Sequence, residues 1–353
     1  MMVHEIGSIF SLDRDRQVAA KQGGDNEALC FSLCREALLT IAKRFAHREK
    51  KVLLPAYSCQ TVIAPFVQEG WQCAFYPVDL DLRIDKAAIV RLAQRLNPSL
   101  CVVHPYFGNE LNADELEALG KVKDLSCVLV EDRTQILFSE NYHEIFDYYV
   151  GSYRKWFPIP DGAFLKSGAS ALSIAASEMS ENEKFVHLQT EAMCLRGDFL
   201  KNGDEDVKNR SRQMVEQANS VISGKIFPHC MSDFSQKIMN QTDVGLLMQR
   251  RTNNYRFLFE HLQRQTVCRL VKQDISELTT VPLFFPIYVQ NRAALQAKLC
   301  VNSIFAPVLW PVQTPEILVN STIKEIFDTI LMIPCDQRYT EDNMQFVVDV
   351  INS

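Results

Sequence analysis

Four polar residues follow two apolar segments in the first half of the chain, and their types are suited to covalent chemistry on a carbonyl compound. Asp132 ends the segment VLVED, and Gln135 comes three residues later. Ser152 and Lys155 have the same spacing near the end of DYYVGSYRK. A lysine whose amine is desolvated and neutral can form a Schiff base. A buried aspartate needs a cation or a donor beside it, because burial raises the pKa of a carboxyl group.

Together these side chains supply the parts of a pyridoxal phosphate site. Lys155 would hold the cofactor covalently, and Asp132 would keep its ring nitrogen protonated. Gln135 would donate a hydrogen bond to a ring substituent, and Ser152 would donate one to the phosphate. Each residue alone has a plainer interpretation, such as a solvated lysine at a loop end or a capping aspartate. Their order and spacing favour the site.

A phosphate group also favours the N-terminus of a helix, where backbone N–H groups are free. The segment FSLCREALLTIAKRF (31–45) predicts such a helix, with Ser32 as its N-cap and Arg35 in its first turn. Alone, Arg35 would be interpreted as a surface residue of an amphipathic helix.

The elements that must position these residues alternate between short apolar strands and helical patterns. The predicted strands are 51–57, 72–79, 101–108, 127–132 and 147–155, and the predicted helices are 59–70, 85–96 and 113–124. Continuous apolar strands between helices are typical of a parallel sheet covered on both faces, so we predict an α/β fold. Ligands of such sheets bind beyond the carboxyl ends of the strands, where the four polar residues are expected.

The second half of the sequence predicts a further α/β unit. Residues 170–225 are polar and helical, and a long helix is expected from about 236. A strand at 282–289, a helix at 291–299 and a closing helix after Tyr339 follow. We therefore predict a large domain at 1–235 and a smaller C-terminal α/β domain at 236–353.

Composition argues against several classes of function. The 353 residues carry a formal net charge of -6 with mixed signs, so no nucleic-acid surface is expected. The 11 cysteines show no metal-ligand spacing, and no metal site is predicted. The N-terminus lacks the features of a signal peptide, and no apolar run approaches the ~20 residues of a membrane span. We therefore expect no membrane partner and a cytoplasmic location with free thiols.

The sequence resembles the DegT/DnrJ/StrS-type sugar aminotransferases, a branch of the fold-type I pyridoxal phosphate enzymes. The resemblance spans most of the chain and is carried, in the family's order, by the segments SLCREAL, LLPAYSCQTVIAPF, FYPVDLDLRID, VVHPYFG, VEDRTQ, GSYRKWFPIPDG, RRTNNY and IPCDQRYTEDNMQFV. It implies a three-layer αβα large domain of the aspartate aminotransferase type. It also implies a homodimer, because sites of this class lie at a subunit boundary.

The resemblance implies a role for each matching residue. Lys155 would be the lysine that holds the cofactor and moves protons, and Asp132 would pair with the pyridine nitrogen. Gln135 would contact the ring hydroxyl and Ser152 the phosphate. The implied phosphate contacts further include Cys34 and Arg35, and the residue placed against the cofactor ring is Cys59.

Some positions depart from the family pattern. Arg35 replaces a small hydroxyl residue, and Cys59 is a weak stacking partner where an aromatic residue is common. The family's asparagine that reaches the neighbouring subunit's phosphate falls near Pro228, in the segment PHCMSDF, so that contact is predicted to be lost. The serine–lysine spacing of three is closer to that of enzymes similar to aspartate aminotransferase.

These features predict an aminotransferase that moves an amino group from an amino acid, expected to be glutamate, to a keto acceptor such as a nucleotide-linked ketosugar. Dehydrating relatives carry histidine in place of the lysine, so the lysine disfavours that reaction. An inactive homologue acting as a scaffold is the alternative. Predicted substrate contacts, for which simple packing or a surface salt bridge is the competing interpretation, are Tyr106, Phe107, Trp156 and, for a carboxylate, Arg338. Tyr255, Arg292 and Trp310 are expected to have structural roles.

Overall fold

A computed structural model describes residues 5–14, 28–168, 179–263, 267–272, 281–312 and 314–353. The strands within these ranges are β1 (Ile6–Gly7), β2 (Ala28–Phe31), β3 (Lys51–Pro55), β4 (Gln72–Tyr76), β5 (Leu100–Val103), β6 (Val128–Asp132), β7 (Tyr148–Ser152), β8 (Ala163–Ser167), β9 (Arg269–Leu270), β10 (Phe285–Tyr288), β11 (Ile304–Phe305) and β12 (Ile330–Ile333). The helices are α1 (Cys34–Arg44), α2 (Gln60–Gln68), α3 (Lys86–Leu96), α4 (Ala113–Lys123), α5 (Glu183–Asn202), α6 (Glu205–Val221), α7 (Asp233–Asn240), α8 (Val244–Leu262), α9 (Arg292–Val301), α10 (Ser321–Thr329) and α11 (Glu341–Asn352).

A seven-stranded sheet forms the centre of the molecule, in the order β2-β8-β7-β6-β5-β3-β4. The pairs from β7 through β4 are parallel, and at one edge β8 pairs antiparallel with both β7 and β2. Every residue of β5 and β6 is buried. This explains their continuous apolar sequences, because both faces of such a sheet are covered. The predicted α/β class with a mainly parallel sheet is confirmed.

Two smaller sheets lie in the second half of the chain. The strands β12, β10 and β9 form an antiparallel sheet, and β1 pairs in parallel with β11. The first strand of the chain is therefore joined to the predicted C-terminal unit, although the division at residue 235 remains a prediction. Gly7 permits this pairing, since its φ is +98° and a Cβ would collide with the carbonyl oxygen of Phe305. The N–H of Gly7 donates to the hydroxyl of Tyr339 at 2.6 Å.

Helix N-termini fall into two groups. Each helix from α3 to α10 begins with a side chain that accepts a first-turn N–H, namely Asp85, Asn112, Asn182, Asp204, Ser232, Asp243, Asn291 and Asn320. The N-caps of α1 and α2 are Leu33 and Cys59, and neither side chain makes such a bond. The first-turn N–H groups of these two helices remain without a side-chain cap.

Two sequence-based expectations about the helices were wrong. Ser32 does not cap α1: the N-cap is Leu33, and the backbone of Ser32 is bonded on both sides, since its N–H donates to the carbonyl of His229 and its carbonyl accepts the N–H of Gly162. The long helix expected from 236 is two helices, since Asp243 accepts the N–H of Leu246 at 2.9 Å and starts α8 anew. The polar region expected to be helical contains α5 and α6, and its residues 170–178 lie outside the described ranges.

Candidate active site

The polar residues of neighbouring strands meet at one cavity at the carboxyl edge of the central sheet. Six of the predicted cofactor-binding residues line it: Cys34, Arg35, Cys59, Asp132, Ser152 and Lys155. Asp132 and Ser152 are the last residues of the adjacent strands β6 and β7. We refer to this space, bounded by the N-termini of α1 and α2 and by these strand ends, as the polar cavity. The parallel arrangement of the strands is what brings these residues together.

Asp132 is a buried carboxylate held by partners within the chain. Its Oδ2 lies 3.2 Å from Nδ1 of His104, and its Oδ1 accepts the N–H of Thr134 at 3.0 Å. Burial alone would raise the pKa of Asp132. Attraction to His104, the hydrogen bond from Thr134 and the charge of Lys155 together hold that pKa below its usual value. Asp132 is thus kept ionised in a site where it can stabilise a protonated ring nitrogen.

His104 was not identified as a site residue from the sequence. It follows β5, the strand next to β6, and its side chain is only 6% exposed. Its position directly after an apolar strand, level with the predicted aspartate on the next strand, is the signal that would have identified it. The sequence argument required a cation or donor beside Asp132, and His104 and Thr134 meet that requirement.

Gln135 is fixed through one end of its amide. Its Oε1 accepts the N–H of Phe107 at 2.9 Å. Its Nε2 is buried and has no hydrogen-bond partner among the described residues. Gln135 lines a second, larger cavity rather than the polar cavity. A donor is therefore available here, and the predicted contact with a ring hydroxyl remains a prediction.

Lys155 lies where the two cavities meet. It is the last residue of a short 3-10 helix, Tyr153–Lys155, that continues directly from β7. Its side chain is exposed, it lines both cavities, and no ion pair or hydrogen bond to a described residue engages its amine. A lysine with these properties can reach a ligand held in either space.

Two arginines face the polar cavity without an anionic partner in the described part of the chain. Arg35 makes a single hydrogen bond, from Nη1 to the carbonyl of Ile222 at 3.0 Å. Arg154 packs over the ring of Phe185, with 5.9 Å from Cζ to the centroid. Burial lowers the pKa of both groups, and repulsion from Arg35 lowers that of Arg154 further. Arg154 was not identified as a site residue from the sequence.

The polar cavity has the features of a phosphate site. The uncapped N-termini of α1 and α2 both lie on its wall, because Cys34, the first residue of α1, and Cys59, the N-cap of α2, line it. Such N-termini carry free N–H groups and a partial positive charge. With Arg35 and Arg154 they provide a positive environment, and Ser152 adds a hydroxyl. The residues present therefore fit the phosphate of pyridoxal phosphate, and Asp132 fits its ring nitrogen.

The two cysteines of the cavity are packing and hydrogen-bonding groups. Burial raises the pKa of the Cys34 thiol well above its usual value, and the charge of Asp132 raises it further. The Cys34 sulfur accepts from the hydroxyl of Thr134 at 3.9 Å, and the Cys59 sulfur accepts from that of Thr61 at 3.0 Å. Cys34 is thus held as a neutral thiol beside the position where an anion would bind.

Three aromatic residues predicted to line an acceptor pocket are packed in the interior instead. Tyr106 is 2% exposed and its hydroxyl donates to the carbonyl of Tyr57. Phe107 is fully buried. Trp156 is also fully buried, and its Nε1 donates to the carbonyl of Thr134 at 2.8 Å. None of the three lines either cavity, so the structure favours the competing interpretation, simple packing, over the predicted substrate role.

Trp310, in contrast, was expected to be structural but lines both cavities. Its ring centroid lies 4.9 Å from that of Tyr57 and 5.7 Å from that of His104. Tyr255 and Arg292 were also expected to be structural. Tyr255 is buried, and Nη1 of Arg292 donates to the carbonyl of Ile330 at 3.3 Å. Trp310 belongs to a loop far along the sequence, and only the tertiary fold brings it to the site.

Arg338 lies on the wall of the larger cavity, but its guanidinium is engaged within the chain. Nε and Nη2 donate to the two carboxylate oxygens of Asp336, each at 2.8 Å. Nη1 and Nη2 also donate to the carbonyls of Ile9 and Ser8, at 3.0 and 3.2 Å. The predicted contact with a substrate carboxylate remains a prediction, and it would compete with these bonds.

Neither a family model nor a curated protein sequence matches the chain. Its fold, however, is shared with solved aminotransferases. The sugar aminotransferase CalS13 from Micromonospora echinospora has 16% identity and a TM-score of 0.62, covering 92% of this chain and 87% of that chain. Spr1654 from Streptococcus pneumoniae, in its PLP form, has 12% identity and a TM-score of 0.65, with coverage of 92% and 86%. A DegT DnrJ EryC1 StrS aminotransferase from Brucella abortus has 12% identity and a TM-score of 0.62, with coverage of 92% and 84%.

At these identities the likeness shows the fold, which is shared over nearly the whole length of each protein. The predicted fold, which these aminotransferases share, is thereby confirmed. Among the described helices, none combines the length and apolar character needed to cross a membrane.

Proposed function

We propose that this chain is a pyridoxal phosphate-dependent aminotransferase. The observation that carries the proposal is that Lys155 lines one cavity together with the buried Asp132 and with Arg35 and Arg154. A carboxylate for the ring nitrogen, a lysine for the carbonyl carbon and an anion site for the phosphate are the three contacts that this cofactor needs. The fold shared with CalS13 and Spr1654 supports the same class of reaction.

When bound, the cofactor supplies an electron sink that stabilises negative charge at the carbon next to a substrate nitrogen. The chain's own residues supply the rest. Lys155 Nζ takes the proton from that substrate carbon and returns one as general base and acid. Asp132, held by His104 and Thr134, favours a proton on the ring nitrogen. Exposure of Lys155 towards both cavities lets the same amine serve both tasks.

The partner and substrate expectations belong to the same proposal. Glutamate is the amino donor to test first, and a nucleotide-linked ketosugar is the acceptor class that the resemblance implies. A homodimer and a cytoplasmic location are further expectations. The convergence of Lys155, Asp132, Ser152 and the unpaired arginines at one cavity argues against a scaffold, which has no need for an unpartnered lysine beside a buried acid.

The test is a visible absorbance spectrum of the purified protein with added pyridoxal phosphate, recorded beside the Lys155→Ala variant and a control, Lys184→Ala, in which an exposed helix lysine is removed. We expect a visible band in the wild type and the control that is lost in Lys155→Ala and bleaches with glutamate. A band that persists in Lys155→Ala would place the linkage elsewhere. A band that ignores every amino acid would point to other chemistry, and no band at all would overturn the proposal.

A further inference from the structure

The larger of the two cavities lies on the other side of Lys155 and has a volume of about 840 Å³. Its walls come from several parts of the chain. We refer to it as the apolar cavity after its apolar wall residues, which include Ile9, Phe10, Met193, Phe284, Phe305 and Leu309. Lys155, Arg154 and Trp310 border this space and the polar cavity alike. Its size is that of a small-molecule site, for which 300–1,000 Å³ is typical.

The charged groups on the wall of the apolar cavity are mostly paired within the protein. Arg338 and Asp336 form an ion pair with two bonds of 2.8 Å. Arg251 donates to Gln337 Oε1 at 2.7 Å and packs over the ring of Trp156. Among the described wall residues, only Arg154 and Lys155 carry charges with neither an ion pair nor a hydrogen bond, and both lie at the end shared with the polar cavity.

This distribution discriminates between classes of substrate. A nucleotide diphosphate carries charges that need several arginines, lysines or free N–H groups. Placing those charges against an apolar wall would be strongly unfavourable. A hydrocarbon chain or aromatic ring would instead gain by leaving water. The only reactive amine bordering this apolar space among the described wall residues is that of Lys155.

We propose that the substrate handled at Lys155 carries an apolar body, an aliphatic chain or an aromatic ring, which lies in the apolar cavity with its amine or carbonyl end towards Lys155. This inference rests on the proposed aminotransferase activity and names a substrate class different from the nucleotide-linked ketosugar that the resemblance implies. The exchange balances without an added oxidant: one partner loses an amino group and a C–H hydrogen and becomes a carbonyl compound. The other gains both, and water is taken up once and released once.

Helix α9 offers a matched pair of positions for testing the proposal. Ala293, Gln296, Ala297 and Cys300 lie on the cavity wall, at the spacing of one helix face. Ala294 is on the same helix and equally exposed, but it is not a wall residue. Ala297→Glu therefore introduces a carboxylate into the wall. Ala294→Glu introduces the same charge elsewhere on α9 and serves as the control.

The experiment measures binding of straight-chain alcohols from butanol to octanol to the cofactor-loaded protein by calorimetry, since alcohols do not react with Lys155. We expect affinity to rise about fourfold for each added methylene in the wild type and in Ala294→Glu. We expect that rise to be largely lost in Ala297→Glu. Affinity that is independent of chain length, or a rise that Ala297→Glu leaves intact, would overturn the proposal.

A second arm compares reactivity on the same samples. Octylamine and 2-phenylethylamine are expected to bleach the visible band of the Lys155-bound cofactor faster than butylamine does, and faster in Ala294→Glu than in Ala297→Glu. If a nucleotide-linked ketosugar accepted an amino group from the loaded protein while octanal did not, the proposed substrate class would be wrong. Formation of the Lys155-dependent band itself, before any amine is added, reports on the proposed function separately.

Discussion

Buried and half-buried arginines occur in two regions of this molecule, and their partners within the protein differ. Arg133, which is fully buried, donates to Glu131 and to the carbonyl of Ser139, each at 2.6 Å, and its Cζ lies 3.8 Å from the ring centroid of Tyr142. Arg338 is held by Asp336 in the same manner. At the polar cavity, Arg35 has one backbone acceptor, and Arg154 has neither an ion pair nor a hydrogen bond within the described ranges.

The difference separates arginines that form ion pairs within the protein from arginines that form none among the described residues. Removing a charge from water is unfavourable unless an opposite charge and hydrogen bonds compensate for it. The protein provides that compensation for Arg133 and Arg338 from its own residues. For Arg35 and Arg154 it provides little, and it places two uncapped helices beside them. An anion brought from solution would supply what is missing, which is why the comparison supports a phosphate site.

The largest effect in this comparison is expected from replacing an arginine that is paired within the protein. Arg133→Met should lower the free energy of unfolding by about 3–5 kcal/mol, because Glu131 is left buried without its partner. Burial already raises the pKa of Glu131 to about 7. A carboxyl group with a raised folded-state pKa makes the protein less stable as pH rises, because the folded state disfavours its ionised form. The loss of unfolding free energy caused by Arg133→Met should therefore be larger near pH 8 than near pH 6. Urea unfolding at both values measures it, and a change below about 1 kcal/mol would contradict a structural role.

Removing an unpaired arginine should affect ligand binding without affecting stability. Arg154→Gln removes one charge-assisted bond to a phosphate, so the affinity for pyridoxal phosphate should fall by roughly 10- to 100-fold. Stability should change by no more than about 0.5 kcal/mol. Absorbance titration measures the affinity, and Arg210→Gln, on the exposed face of α6, is the matched control.

Pyridoxal, which lacks the phosphate, tests whether Arg154 contacts the phosphate or shapes the cavity. Its affinity should be the same in Arg154→Gln and in the wild type, because the removed group acts on the phosphate alone. Equal weakening of both ligands would mean that Arg154 shapes the cavity instead, and the contrast with Arg133 would then fail.

The smallest effect is expected from the pH dependence of Asp132. Its pKa is lower in the folded protein than in the unfolded chain, so its contribution to stability is present above about pH 4 and is lost as pH falls through the folded-state value. Between about pH 5 and pH 3, the free energy of unfolding should therefore fall less in Asp132→Asn than in the wild type. Acid titrations followed by circular dichroism test this. An unchanged acid limb in the variant would show that His104 and Thr134 do not favour the ionised form.

The central sheet and the residues at its edge were predictable, because their signals are local. The apolar runs of β3, β5, β6 and β7 stand out in the sequence, and Asp132 and Ser152 end two of them. The start of α1 was not predictable in detail. Ser32 has the right type for an N-cap, but its backbone is bonded to His229 and Gly162 and the N-cap is Leu33, so tertiary contact overrides local preference.

The rest of the site depends on contacts between distant parts of the chain. Trp310 reaches the site on a loop of the C-terminal part, and no local pattern distinguishes it from a packed tryptophan. For Tyr106 and Trp156 the error was the opposite. These aromatic residues, which follow strands, were expected to line the cavity but are buried in the interior. The lack of partners for Arg154 can be recognised only once the charges around it are known, and they come from several elements.

The pairing of β1 with β11 has a consequence for synthesis of the chain. Gly7 and Tyr339, which are hydrogen-bonded in the finished molecule, are separated by 332 residues. A ribosome adding roughly 5–20 residues per second leaves some tens of seconds between the two. Ile6 and Gly7 therefore leave the ribosome long before any partner exists, and contacts of such high sequence separation form slowly. The strand β1 is made early but is among the last of the described strands to be placed, and the cavity beside it is completed only when residues 283–338 have folded.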